Sequence, residues 1–167
     1  ARLLNAVVAT GVPAARWARD FDAVWVDFSK GLGAPVGAAL AGSRRFIDDA
    51  WVIKQRFGGA MRQAGIIAAA ALYALDHHVG RLADDHRRAR ELAAGLSAIP
   101  GLTVETPRTN LVFVTVPETA LPRLRAALHE HAILASVGAP RVRLATHLDI
   151  DDAAIARGVA AFASAMR

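Results

Sequence analysis

The sequence predicts an α/β chain in two pieces, the end of an α/β domain followed by a small α+β C-terminal domain. Three observations carry this. A β-branched and aromatic run, Ala23-Val24-Trp25-Val26-Asp27-Phe28, lies between helical segments, as a mostly buried strand does. Two long helical patterns follow, one apolar and one polar, meeting near residue 80. Beyond Leu102, short strands and helices interleave on the scale of one compact unit. The expected boundaries are residues 1–60 for the first domain, 61–80 for a connecting long helix and 81–167 for the C-terminal domain.

Each element has a local reason. Residues 3–8 form a short helix before the turn Gly11-Val12-Pro13, and a second helix over 13–19 starts with Pro in its first turn. The strand over 23–28 is followed by Ser29-Lys30-Gly31-Leu32-Gly33-Ala34-Pro35 and by a second strand, 36–41, built of small residues. Ser43 is an N-cap opening a helix to about Arg56. Gly58-Gly59 breaks the chain before the apolar helix 61–78, and the polar helix 81–99 stops at Pro100-Gly101. Strands are expected over 102–105, 111–116, 133–136 and 142–146, with helices over 121–131 and 151–166. Two strands are too few for a parallel sheet covered on both faces, and the chain opens on Ala1-Arg2 without Met. A fragment of a longer domain is the expectation.

Composition narrows the function classes. The net charge is +5, but bases and acids interleave, as in Arg81-Asp84-Asp85-Arg87-Arg88-Arg90-Glu91. That is a solvated helix with short-range pairs rather than a nucleic-acid surface. The most apolar stretch, residues 64–75, is too short to span a bilayer. There is no cysteine, which excludes disulfides and cysteine metal sites and fits the cytoplasm. His77, His78 and His86 lack the supporting carboxylates of a metal cluster and read as helix-end residues, so no metal is expected.

Of the 20 Lys and Arg residues only Lys30 and Lys54 are lysine. A lysine kept at the end of an apolar strand and followed by glycines stands where backbone can approach a planar ligand. Only lysine offers a neutral amine for Schiff-base chemistry, and Ser29 adds a hydroxyl for a phosphate oxygen. A solvated surface turn is the competing local account.

The segment Asp27-Phe28-Ser29-Lys30-Gly31-Leu32-Gly33-Ala34-Pro35-Val36-Gly37 resembles the cofactor-lysine segment of low-specificity L-threonine aldolases, which are pyridoxal-phosphate (PLP) enzymes of fold type I, the aspartate-aminotransferase-like class. Four later segments resemble that family in order: Gly58-Gly59-Ala60-Met61-Arg62-Gln63-Ala64-Gly65, Ala74-Leu75-Asp76-His77-His78, Thr109-Asn110-Leu111-Val112-Phe113 and Val142-Arg143-Leu144-Ala145-Thr146-His147-Leu148-Asp149. The opening Ala1-Arg2-Leu3-Leu4-Asn5-Ala6 resembles the stretch after the family's Asp-Gly.

The resemblance implies that residues 1–60 end the large PLP-binding domain. Lys30 would be the cofactor lysine and catalytic residue, with Ser29 at the phosphate and Arg62 either reaching the phosphate of another subunit or serving as a helix cap or interface salt bridge. Arg2 and Arg143 would bind the substrate carboxylate, with Arg141 as a competitor two residues away on the same face. His147 orders a strand end or acts as a base. The implied reaction cleaves threonine or a related β-hydroxy-α-amino acid to glycine and an aldehyde, in a homo-oligomer, dimer or tetramer. The family's ring-nitrogen Asp, stacking residue and phosphate loop would precede Ala1, so the isolated chain is expected to be inactive. The alternatives are another fold type I lyase (phenylserine aldolase, β-eliminating lyase or racemase) and a non-catalytic piece supplying interface and C-terminal domain.

Overall fold

A computed structural model describes residues 2–167; Ala1 lies outside the described residues. The chain divides into two compact units, Ala1–Leu82 and Ala83–Arg167.

In the first unit, α1 (Leu3–Thr10) ends at Gly11, whose φ of 70° lets its N–H return to Val7 O at 2.8 Å. After α2 (Ala14–Ala18) come β1 (Ala23–Asp27) and β2 (Ala38–Gly42). They pair antiparallel, from Ala23 opposite Gly42 to Asp27 opposite Ala38. Residues 28–37 hold no crossover helix, and a connection that short returns the chain antiparallel. The second strand starts later than expected because Gly37, at φ 124°, bends the chain ahead of it.

Ser43 caps α3 (Arg44–Arg56), its Oγ accepting from Phe46 N at 3.2 Å. α4 (Gly65–His78) begins four residues after Met61, because residues 62–64 are taken up by a turn. The core of this unit gathers Leu32, Ala34, Ala74 and Leu82, with Leu4, Val8, Phe28, Leu75 and Val79 against them. Two of the four buried members, Leu32 and Ala34, come from the glycine-rich loop itself. The loop after Lys30 is thus anchored in the core.

In the second unit, α5 (Leu82–Ser97), α6 (Leu121–Glu130) and α7 (Asp152–Ala165) bury apolar faces with a three-stranded sheet. The sheet is antiparallel in the order β3 (Thr103–Val104), β4 (Leu111–Thr115), β5 (Arg141–Ala145). Val112, Val114 and Val142 point inward and meet Leu96, Leu124 and Phe162, all essentially buried. Asp151 caps α7, accepting from Ala154 N at 2.7 Å. The strand expected over 133–136 is absent. Ala132, at φ 53°, turns the chain out of α6, and Ile133 N bonds back to Leu128 O at 2.8 Å, so the segment closes a helix instead of joining a sheet.

Candidate active site

β1 ends at Asp27, and the chain then turns so that the next residues fold back on that carboxylate. Asp27 Oδ1 accepts from Ser29 N at 2.8 Å and from Ser29 Oγ at 2.7 Å. Its Oδ2 takes Lys30 Nζ at 2.9 Å. A short acidic side chain readily bonds backbone two residues ahead, which gives the local reason for the turn. The Asp27 side chain is only 9% exposed, whereas that of Lys30 is 66% exposed. The amine is therefore held by the Asp27 carboxylate at the end of a largely exposed side chain. The Ser29 hydroxyl, then Lys30, hold the Asp27 carboxyl well below the usual carboxylate range, against an opposing pull from burial.

The loop that carries the amine is closed at several points. Gly33 N donates to Lys30 O at 3.0 Å, Ala34 N to Phe28 O at 2.9 Å and Phe28 N to Gly37 O at 3.0 Å. His78, at the end of α4, donates from Nδ1 to the buried Leu32 carbonyl. Gly31 has no room for a side chain without adjustment: a Cβ there would lie 3.3 Å from Leu82 Cδ2 and 3.4 Å from Asn5 Nδ2. The loop therefore packs against α1, with Leu4, Asn5, Val26, Asp27, Gly31, Leu32 and Leu82 around a small void. Asp27 and Asn5 take no role from the sequence, and His78 is weighed there only as a metal ligand and set aside. Only the Asp-x-Ser-Lys spacing signalled the first of them.

Ser29 and Lys30 thus come together. Arg2 is the N-cap residue of α1, exposed, with its carbonyl accepting from Ala6 N. Arg62 is exposed in the turn before α4. Arg143 lies in the other unit, on β5 opposite Phe113. Its rival Arg141 is engaged, with Nε 2.9 Å and an Nη 2.8 Å from Glu105 Oε1 and the guanidinium 4.1 Å from the Phe113 ring centre. Arg143 has no ion pair among the described residues.

His147 follows β5, its Nδ1 accepting from Asp149 N at 3.3 Å, a local contact that shapes the strand end. Two of the family-like segments are stitched together just before it: Asn110 Nδ2 donates to Thr146 O at 2.7 Å, and Thr146 Oγ1 to Asp85 O at 2.6 Å. Among the described residues no cluster of three or more potential metal ligands forms, and no helix is long and apolar enough to cross a membrane.

The donor set suits a PLP-type ligand in two respects: an open primary amine for an aldehyde, and an adjacent hydroxyl for an anionic oxygen. The other lysine, Lys54, lies over the Trp51 ring at 4.8 Å.

Comparison with known proteins agrees with this fold. The model of the beta-eliminating lyase family matches residues 1–119. Low-specificity L-threonine aldolase 1 of Arabidopsis thaliana is 38% identical over 172 residues, covering 99% of this chain and 48% of that protein. The low specificity L-threonine aldolase of Escherichia coli K12 is 41% identical over 150 residues, covering 90% and 44%. The chain spans about half the length of the curated relatives it matches. A Listeria monocytogenes protein described as an L-allo-threonine aldolase superposes with a TM-score of 0.77 at 22% identity, over 99% of this chain and 50% of that one. Aspartate aminotransferase from Rhizobium meliloti gives 0.65 at 19%, over 93% and 45%. The aspartate-aminotransferase-like α/β fold expected from the sequence is the fold found, and the chain belongs to the beta-eliminating lyase family.

Proposed function

We propose that this chain contributes the cofactor lysine and C-terminal domain of a PLP-dependent carbon–carbon lyase. That enzyme cleaves threonine or a related β-hydroxy-α-amino acid to glycine and an aldehyde. The observation that carries the proposal is the Asp27–Ser29–Lys30 arrangement, which presents an open amine beside a hydroxyl at a strand end. PLP, when bound, supplies a sink for the electrons released as the Cα–Cβ bond breaks. Lys30 would hold the cofactor, and its largely exposed side chain would be free to carry a proton once the substrate amine took its place. Ser29 would donate to the phosphate, and Arg62, in the turn before α4, would add a cation to a phosphate of a second subunit. Arg143, without an ion pair among the described residues beside the engaged Arg141, offers a fork for the substrate carboxylate, and Arg2 is a second candidate for that role.

The unit Ala1–Leu82 would end the cofactor-binding domain and Ala83–Arg167 would form the small domain. Exposed Trp51, Phe57, Ile66 and Leu72 on and between α3 and α4 support assembly into a homo-oligomer. A cysteine-free chain supports a cytoplasmic location.

The test is to join this chain to an N-terminal half from a relative, add PLP, and record absorbance of the lysine-bound cofactor in the wild type and in Lys30→Ala. Absorbance lost in the variant is the expected result; no such band in the complemented wild type refutes the proposal. Products then identify the reaction. Glycine plus aldehyde marks the aldol cleavage, whereas a keto acid plus ammonia marks the β-elimination named by the family.

A further inference from the structure

We propose that Asp27 is a positioning residue, a placeholder that gathers the Lys30 amine and the Ser29 hydroxyl and surrenders the amine when an aldehyde ligand arrives. The inference deepens the proposed function and rests on it for the identity of that ligand as PLP. Its geometry stands independently. One carboxylate takes three donors from the two residues that face the ligand, and it does so from a nearly buried side chain below an exposed amine.

The arrangement has two consequences. An ammonium bound to Asp27 Oδ2 has no lone pair to offer a carbonyl. Capture therefore requires Nζ to leave Oδ2 and release one proton to solvent, which its exposed tip reaches. The neutral amine then adds to the aldehyde carbon, and the carbonyl oxygen leaves as water while the C=N bond forms. The second consequence concerns what remains. Asp27 Oδ1 keeps the Ser29 backbone N–H at 2.8 Å, so the carboxylate is not stranded when the lysine departs. The Ser29 hydroxyl, at 2.7 Å, is a rotor that can turn to a phosphate oxygen without moving the chain.

Few other charges bear on this carboxylate. The residues around the adjoining void are Leu4 and Asn5 from α1, Val26 from β1, Gly31 and Leu32 from the loop, and Leu82, all uncharged. The titratable side chain bound to the loop is His78, through the Leu32 carbonyl.

The test uses the complemented protein before PLP is added, with formaldehyde and a mild borohydride as the probe. Mass spectrometry of peptides reads methylation of Lys30 against Lys54, an internal control that lies over the Trp51 ring. Asp27→Asn keeps an oxygen for Ser29 and removes the charge. The expected Lys30-to-Lys54 ratio rises about threefold to fivefold at neutral pH, the scale of one exposed ion pair. Asp27→Glu returns the ratio toward wild type, and Ser29→Ala leaves it in place. A ratio unmoved in Asp27→Asn overturns the proposal, as does an equal rise in Ser29→Ala, which would mark general loosening of the loop.

If Asp27→Asn does not fold, salt titration of the wild type decides. Screening of the pair raises the ratio with ionic strength, and a salt-independent ratio overturns the proposal. Absence of a PLP band in the earlier experiment would refute the cofactor assignment while leaving this labelling result interpretable.

Discussion

Arg141 and Arg143 stand two residues apart on one face of β5, and the structure gives them different work. Arg141 lies on the Phe113 ring and pairs with Glu105 through two nitrogens. At the exposure of this pair the salt bridge contributes about 0.2–1 kcal/mol, and the cation–ring contact about 0.5–1 kcal/mol. Arg141→Ala therefore costs about 1–2 kcal/mol of stability by these values. At about 4–8 °C per kcal/mol for a unit of this size, the C-terminal unit melts several degrees lower. Arg143→Ala breaks no ion pair, and an exposed change of that kind stays within about 0.5 kcal/mol. Under the proposed function it removes the fork proposed for the substrate carboxylate, a charge-assisted contact of about 1.5–3 kcal/mol, or about tenfold to hundredfold in KM for threonine. Thermal melts and initial rates on both variants of the complemented enzyme separate the two roles. A raised KM in Arg141→Ala with no change in Arg143→Ala would refute the assignment of the carboxylate to Arg143.

Gly95→Ala on α5 sets two terms against each other. Helix propensity favours alanine by about 1 kcal/mol, but the new Cβ would lie 2.5 Å from Val159 Cγ2 on α7, and overpacking of this kind costs about 1–3 kcal/mol. Because Val159 is stiff at χ1 within a helix, the clash prevails and the denaturation midpoint falls; Gly95→Ala with Val159→Ala restores it, and a more stable single variant would contradict the packing described. Acid stability reports on His86, whose imidazole is pushed below its ordinary value by burial first, with Arg90 adding to the shift and Asp85 opposing it. The unfolded chain takes up this proton near pH 6.5 and the folded chain only at lower pH, so stability falls as pH drops below about 6.5, and His86→Gln flattens that slope in urea titrations.

Much of the fold was legible because its signals are local. Ser43 and Asp151 cap the helices they precede, and β4 falls on the apolar run Leu111-Val112-Phe113-Val114 read as a strand. The segment 133–136 misled because an apolar run carries no record of its partner. Ile133 spends its backbone N–H on Leu128 of the preceding helix, while Leu134 stands fully exposed. The β1–β2 pairing was hidden for a related reason, since direction depends on what fills residues 28–37 and not on the strands themselves.

The candidate site divides along the same line. Lys30 could be singled out from one sequence because lysine is rare here and its chemistry cannot be replaced by arginine. Arg143 was already preferred to Arg141 on the resemblance and the need for a carboxylate fork, and the structure adds that Arg141 is engaged by Glu105 and Phe113, partners from two other strands or strand ends. Asp27 was written in the motif but silent, because an acid at a strand end is ordinary until its oxygens are seen to hold both neighbours that face the ligand. A residue that acts through others leaves its trace in geometry rather than in composition. The lysine is singled out by its rarity, its strand-end setting and the ordered family-like segments together, whereas the carboxylate proposed to govern its release is recognised only by what it touches.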